Sequence, residues 1–156
     1  MKILSFKRIE KKYLINQSQY EELLKGIRGH MKLDPYCENN KTYKIQNIYY
    51  DTINNTLISN SINKPIYKEK LRVRKYYEAD SYFIELKKKA CGVVGKRRVV
   101  VNKEELASFF RGDNLDHITD YESRMAIKEI KYLMKRYELM PKVYLSYDRL
   151  GFFDLE

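Results

Sequence analysis

The stretch KEKLRVRKY, residues 68–76, alternates basic and aliphatic side chains around a β-branched valine. As a strand it puts Lys70, Arg72 and Arg74 on one face and Leu71 and Val73 on the other. The aliphatic face reads as core. The basic face needs a separate explanation, because other segments repeat it. SYFIELKKK (81–89) sets Glu85 and Lys87 against Ile84 and Leu86, and GKRRVVV (95–101) sets Lys96 and Arg98 against Val99 and Val101. FKRIEKKYLI (6–15) aligns Arg8, Glu10 and Lys12, and Arg149 ends the last strand candidate, KVYLSYDRLGF.

The rest of the chain fits around these strands. TYKIQNIYYDT alternates enough for another strand, and the Asn- and Ser-rich INNTLISNSINKP after it reads as a mobile polar loop. ACGVV joins two strands as a Gly-containing hairpin turn. Three helices are expected. The first has Ser18 and Glu21 as a capping box, an apolar stripe from Tyr20 to Met31, and a stop at Asp34–Pro35. The second starts at Asn102 with Glu105 and buries Leu106, Phe109 and Phe110. The third starts near Thr119 with Glu122, and Pro141 closes it. No repeat or linker divides the sequence, so residues 1–156 read as one α+β domain. Short connections make its sheet mostly antiparallel.

Composition limits the function. At 44% hydrophobic and 33% charged, the chain has the make-up of a soluble globular domain. No apolar run approaches the roughly 20 residues of a membrane span, and the amino terminus lacks a signal-peptide pattern. Cys37 and Cys91 have neither disulfide nor zinc spacing, which fits free thiols in a cytoplasmic protein. A net charge of +10 points to an anionic partner.

One solvated face is ordinary for an antiparallel sheet. Such faces usually mix charge signs, however, and like charges directly opposite each other destabilise a sheet. Here four strands place Lys and Arg on one side with only Glu10 and Glu85 among them. If the sheet curls, these side chains line a basic groove or tunnel. Arg forks and Lys point charges suit phosphate, and Glu10 with Glu85 could bind a divalent cation bridging phosphates.

The ordered set EKKY, IYYDT, KLRVR, FIELKKK, GKRRV and P-x-V-x-x-S-Y-D-R resembles the VTC domain, the polyphosphate polymerase branch of the triphosphate tunnel metalloenzyme (CYTH-like) superfamily. The resemblance runs from about Phe6 to Phe152. It implies a curled, possibly incomplete β-barrel with a basic interior and about three covering helices. In that interior the γ-phosphoryl of ATP would pass to a growing polyphosphate chain, with Mn²⁺ or Mg²⁺. By motif position, Arg72, Arg74 and Lys87 are the catalytic candidates. Lys12, Lys70, Lys96, Arg98 and Arg149 are phosphate-binding candidates, and Glu10 and Glu85 are metal candidates. Family members continue beyond Y-D-R into further strands, so the chain is expected to be truncated at its carboxyl end.

ATP and inorganic polyphosphate are therefore the expected partners, and a membrane-protein partner is compatible with a chain lacking its own span. A tunnel triphosphatase, or a non-catalytic polyphosphate sensor, fits the same residues. A single-strand nucleic-acid module would account for the charge and the 15 tyrosines. It would place aromatics beside the basic residues on one face, and the strands here do so only near their ends, so no nucleic acid is expected. GVVGK (92–96) lacks the spacing of a phosphate loop, His30 and His117 are isolated, and Asp51 suits a turn.

Overall fold

The computed structural model describes residues 11–37, 41–77 and 79–154. They fall into two compact units, one drawn from Met1–Asn40 with Gly151–Glu156 and the other comprising Lys41–Leu150.

In the first unit, helix α1 (Gln17–Ile27) precedes the short strand β1 (Met31–Leu33), which pairs antiparallel with β7 (Phe152–Asp154). The capping box is built by Asn16 and Gln19, two residues before the expected pair. Asn16 Oδ1 accepts the Gln19 N–H and Gln19 Oε1 accepts the Asn16 N–H, both at 2.9 Å. The helix ends before Met31 because Gly29 turns the chain at φ 106°. Gly151 lies so close to Asp34 that an added Cβ would sit 2.9 Å from the Asp34 Cβ, a separation only glycine avoids. Residues 11–16 are not in a strand, which removes half of the strand expected over 6–15. Its other half, with Arg8 and Glu10, lies outside the described residues.

The second unit is built on five antiparallel strands. These are β2 (Tyr43–Asp51), β3 (Tyr67–Tyr76), β4 (Tyr82–Ala90), β5 (Val93–Val101) and β6 (Met140–Arg149), in the order β5-β4-β3-β2-β6. The sheet is open among the described residues, with β5 and β6 as its edges. Cys91 and Gly92 make the β4–β5 turn at φ 47° and 83°, the positive angles of the tight hairpin turn that matches strand twist. Pro141, expected to close a helix, instead lies in β6, where the register with β2 shifts at Tyr49/Tyr50. A residue without an N–H is tolerated at such an irregularity.

One face of the sheet carries the core. Leu71, Val73, Ile84, Leu86, Val99 and Val101 pack with Phe109 of α3 (Lys103–Arg111) and with Ala126, Ile130 and Leu133 of α4 (Tyr121–Tyr137). Asn102 and Glu105 cap α3 as expected, whereas Asp120 caps α4 by accepting the Ser123 N–H at 2.8 Å. Glu129 ties α4 to the sheet through Lys88 and Arg97, each at 3.0 Å. The polar segment after β2, expected as a loop, contains helix α2 (Thr56–Asn63). Asp51 is its nucleus. Its carboxylate accepts the N–H groups of Thr52, Leu57 and Ile58 at 2.8–2.9 Å, while Leu57 is buried. Four helices are thus present among the described residues, where about three were expected.

Candidate functional site

Strand register decides which charges meet. On the face opposite the core, Tyr49, Arg72, Glu85 and Arg98 stand side by side across β2, β3, β4 and β5. The next rung holds Lys70, Lys87 and Lys96 across β3, β4 and β5, and the following one pairs Lys68 with Lys89. In the other direction, Asn47 and Arg74 face Phe83.

Glu85 organises the first rung. Its side chain is 2% exposed. Oε2 accepts from Arg72 Nε and Nη2, both at 2.7 Å. Oε1 accepts from Arg98 Nε at 2.8 Å, Arg98 Nη2 at 2.5 Å and Lys96 Nζ at 2.8 Å. Burial alone would raise the carboxyl pKa, but Lys96, Arg72 and Arg98 together hold it down at about 2. Arg72 also donates Nη1–H to Tyr49 Oη at 3.0 Å. One N–H on each of its terminal nitrogens is not used in these bonds, so the guanidinium can still donate to an incoming anion. Aromatic rings hold the arginines from the side: Tyr49 lies 5.8 Å from the Arg72 guanidinium carbon, and Phe83 4.8 Å from that of Arg98.

The lysine rung is different. Lys70 and Lys87 have no ion pair among the described residues, and each has a lysine directly opposite it. Three ammonium groups stand in register on adjacent strands, and among the described residues only Lys96 is compensated, by Glu85, so the row carries positive charge that the described carboxylates do not offset.

Arg74 is held more deeply than its neighbours. It is 8% exposed, donates Nε–H to Asn47 Oδ1 at 3.0 Å and reaches Tyr147 Oη at 3.4 Å. Asn47 is itself buried and donates to the Leu145 carbonyl. The three strands β3, β4 and β5 therefore bring together Lys70, Arg72, Arg74, Glu85, Lys87, Lys96 and Arg98. Arg149 shares the face but stands opposite Tyr43 on the edge strand β6, toward the other end of β2. Lys12 lies in the first unit, is exposed and belongs to no strand.

The sequence placed Tyr147 on this face as a strand-end aromatic, but it did not single out Asn47 and Tyr49, which together with Tyr147 orient the arginines. The signal was present in NIYY, where Asn47 and Tyr49 alternate on one face, but their partners depend on register. Along each single strand, aromatics stand beside the basic residues only near the ends. The structure supplies them across strands, so the absence of aromatics beside the basic residues no longer counts against nucleic acid.

The described residues do not fit a protein-held divalent cation. Among the described residues no group of three or more His, Cys, Asp or Glu is placed to hold a metal. Both oxygens of Glu85 are occupied by cations that would repel one. Glu10 lies outside the described residues. Among the described residues no helix is long and apolar enough to cross a membrane, which says nothing about membrane-crossing strands.

Among solved structures, the chain resembles a candidate adenylate cyclase from Bacillus halodurans at 15% identity and TM-score 0.54, covering 87% of this chain and 61% of that one. A second candidate adenylate cyclase, from Vibrio parahaemolyticus, superposes with TM-score 0.42 and 14% identity over 92% of this chain and 60% of that one. At these identities the first likeness concerns the fold alone, and the second carries no argument. The chain spans under two thirds of either neighbour. No curated protein matches it. The VTC domain model matches residues 7–156, across both compact units, and the chain therefore belongs to the VTC domain family.

Proposed function

We propose that the basic face binds the triphosphate of ATP and linear polyphosphate, and that the protein transfers the γ-phosphoryl of ATP to a polyphosphate chain in the cytoplasm. The observation that carries this reading is the in-register row Lys70–Lys87–Lys96 beside the Arg72–Glu85–Arg98 cluster. Phosphoryl transfer asks the protein mainly to position phosphates and offset their charge. In this reading Arg72, Arg98 and Lys96 bind and orient the phosphates nearest the transferred group. Lys70 and Lys87 hold the oxygens beyond it, and Arg74 adds charge from beneath. Arg149 would contribute a more distant phosphate contact. The Mn²⁺ or Mg²⁺ implied by the family has no fitting ligand set among the described residues, so no step here runs through a metal.

The test is incubation of the protein with ATP and Mn²⁺ or Mg²⁺, followed by ³¹P NMR. Chain-internal phosphate resonances support polymerisation. Orthophosphate alone would make the protein a triphosphatase, and tight polyphosphate binding without turnover would make it a sensor. Cyclic AMP would align it with the activity named for its structural neighbours, which also begins at a nucleoside triphosphate. The cross-strand aromatics Tyr49 and Phe83 favour one further reading, a single-strand nucleic-acid module. An oligonucleotide that outcompetes tripolyphosphate at equal salt would favour it.

A further inference from the structure

The β4–β5 hairpin tip is built unlike the rest of the basic face. Lys64, Lys68 and Lys89 line a cavity of about 360 Å³ together with Ile66, Cys91 and Gly92. The Cys91 N–H donates to the Ile66 carbonyl at 3.1 Å, fastening the segment after α2 to the tip. None of the three lysines has an ion pair among the described residues, and Lys68 stands directly opposite Lys89. Around them, Ile66 is 74% exposed, Val93 73% and Val94 53%.

Two unfavourable features thus coincide: aliphatic side chains in water, and like charges without counterions. A linear polyphosphate would relieve only the second. Protein interfaces are depleted in lysine and enriched in aromatics and arginine, the reverse of Ile66, Val93 and Val94 among three lysines. An anionic bilayer relieves both features, taking aliphatic side chains into its interfacial layer and lysines against its phosphates. We infer that the hairpin tip, with Ile66 and Lys64, is a docking surface for anionic lipid membranes. This inference is independent of the catalytic reading, because none of these residues belongs to the Arg72–Glu85–Arg98 cluster or the adjacent lysine rung.

The test is flotation of the full chain with vesicles of 30% phosphatidylglycerol in phosphatidylcholine, compared with pure phosphatidylcholine. The wild type is expected to float with the first and remain in solution with the second. Ile66→Asp combined with Val93→Asp is expected to lower vesicle partition at least tenfold, and Lys64→Gln about fivefold. Unchanged thermal melting and tripolyphosphate affinity in these variants would show that folding and the phosphate face are intact. If the double variant melts early, the single Val93→Ser substitution, at the exposed start of β5, replaces it. Equal binding to neutral vesicles would overturn the proposal, as would undiminished flotation of the Asp or Ser variants. Flotation abolished by tripolyphosphate but indifferent to Val93 would assign lipid binding to the basic face instead. A dimer lost on Val93→Asp, without vesicle binding, would make the tip a contact between copies.

Discussion

Replacing Glu85 by Gln tests the candidate site most sharply, because the stability and binding effects are expected to have opposite signs. The carboxyl pKa falls from the ordinary 4.5 to about 2, which corresponds to about 3 kcal/mol of preference for the charged, folded form. Lys96 and Arg98 are 46% and 37% exposed, so solvent screens part of this, and roughly 2–3 kcal/mol is the expected loss. For a chain of 156 residues that lowers the melting temperature by roughly 5–10 °C. Because the folded pKa is depressed, the contribution is complete above pH 4.5 and lost as the pH falls toward 2. Wild type and E85Q should therefore converge in acid. Tripolyphosphate should behave oppositely: it must compete with Glu85 for Arg72, Arg98 and Lys96 in the wild type, whereas E85Q leaves one more net positive charge. Calorimetry at pH 7 without metal is expected to show binding about tenfold tighter, and melting with saturating tripolyphosphate should recover most of the lost stability. An E85Q protein that melts like wild type in phosphate-free buffer would refute the stabilising cluster. Weaker binding that appears only with Mg²⁺ would instead give Glu85 a metal-bridging role.

Other substitutions separate residues that share the face. Lys87→Ala should leave thermal stability unchanged or slightly improved, because it relieves like charges opposite Lys70 and Lys96, yet weaken tripolyphosphate binding roughly tenfold or more; calorimetry and melting on one sample check both. Arg74→Ala should cost about 1–3 kcal/mol in denaturant unfolding, because it leaves the buried Asn47 oxygen without its partner, whereas Arg72→Ala should act mainly on phosphate affinity. Asp51→Ala removes three hydrogen bonds to backbone N–H groups, two of them at the start of α2, and should cost about 2 kcal/mol, seen as early hydrogen exchange in residues 56–63.

The sequence made the faces of the strands legible because a side-chain period of two needs no knowledge of partners. Lys70, Arg72, Arg74, Glu85, Lys87, Lys96 and Arg98 could all be put on one side from alternation, and Leu71, Val73, Ile84, Leu86, Val99 and Val101 on the other. The roles within that face could not be read in the same way. Glu85 looked like an oxygen ligand in isolation, and only the register with Arg72 and Arg98 makes it their counterion. Asn47 and Tyr147 are a hundred residues apart and meet Arg74 through two different strand pairings. Helix α2 was hidden for another reason. Apart from Leu57, TLISNSIN consists of weak helix formers, so local propensity gave little signal. Its start is set by the carboxylate of Asp51 at the end of a strand.

A basic sheet face of this kind has to fold before it binds anything, and the two adjacent rungs divide that requirement. In the Arg72–Glu85–Arg98 rung the opposed cations are bridged by a carboxylate, so the strands can pair without an external anion. In the Lys70–Lys87–Lys96 rung the only bridge among the described residues is the contact of Lys96 with that same Glu85, and the remaining repulsion would be relieved by a bound anion. If both rungs had counterions, the face would gain little from phosphate; if neither did, β3, β4 and β5 would repel along two rows. The compensated rung thus keeps the uncompensated one in register, and on the proposed reading phosphate affinity rests on charge that folding leaves unpaired. That division explains why removing Glu85 should weaken the fold and strengthen binding, while removing Lys87 should do the reverse.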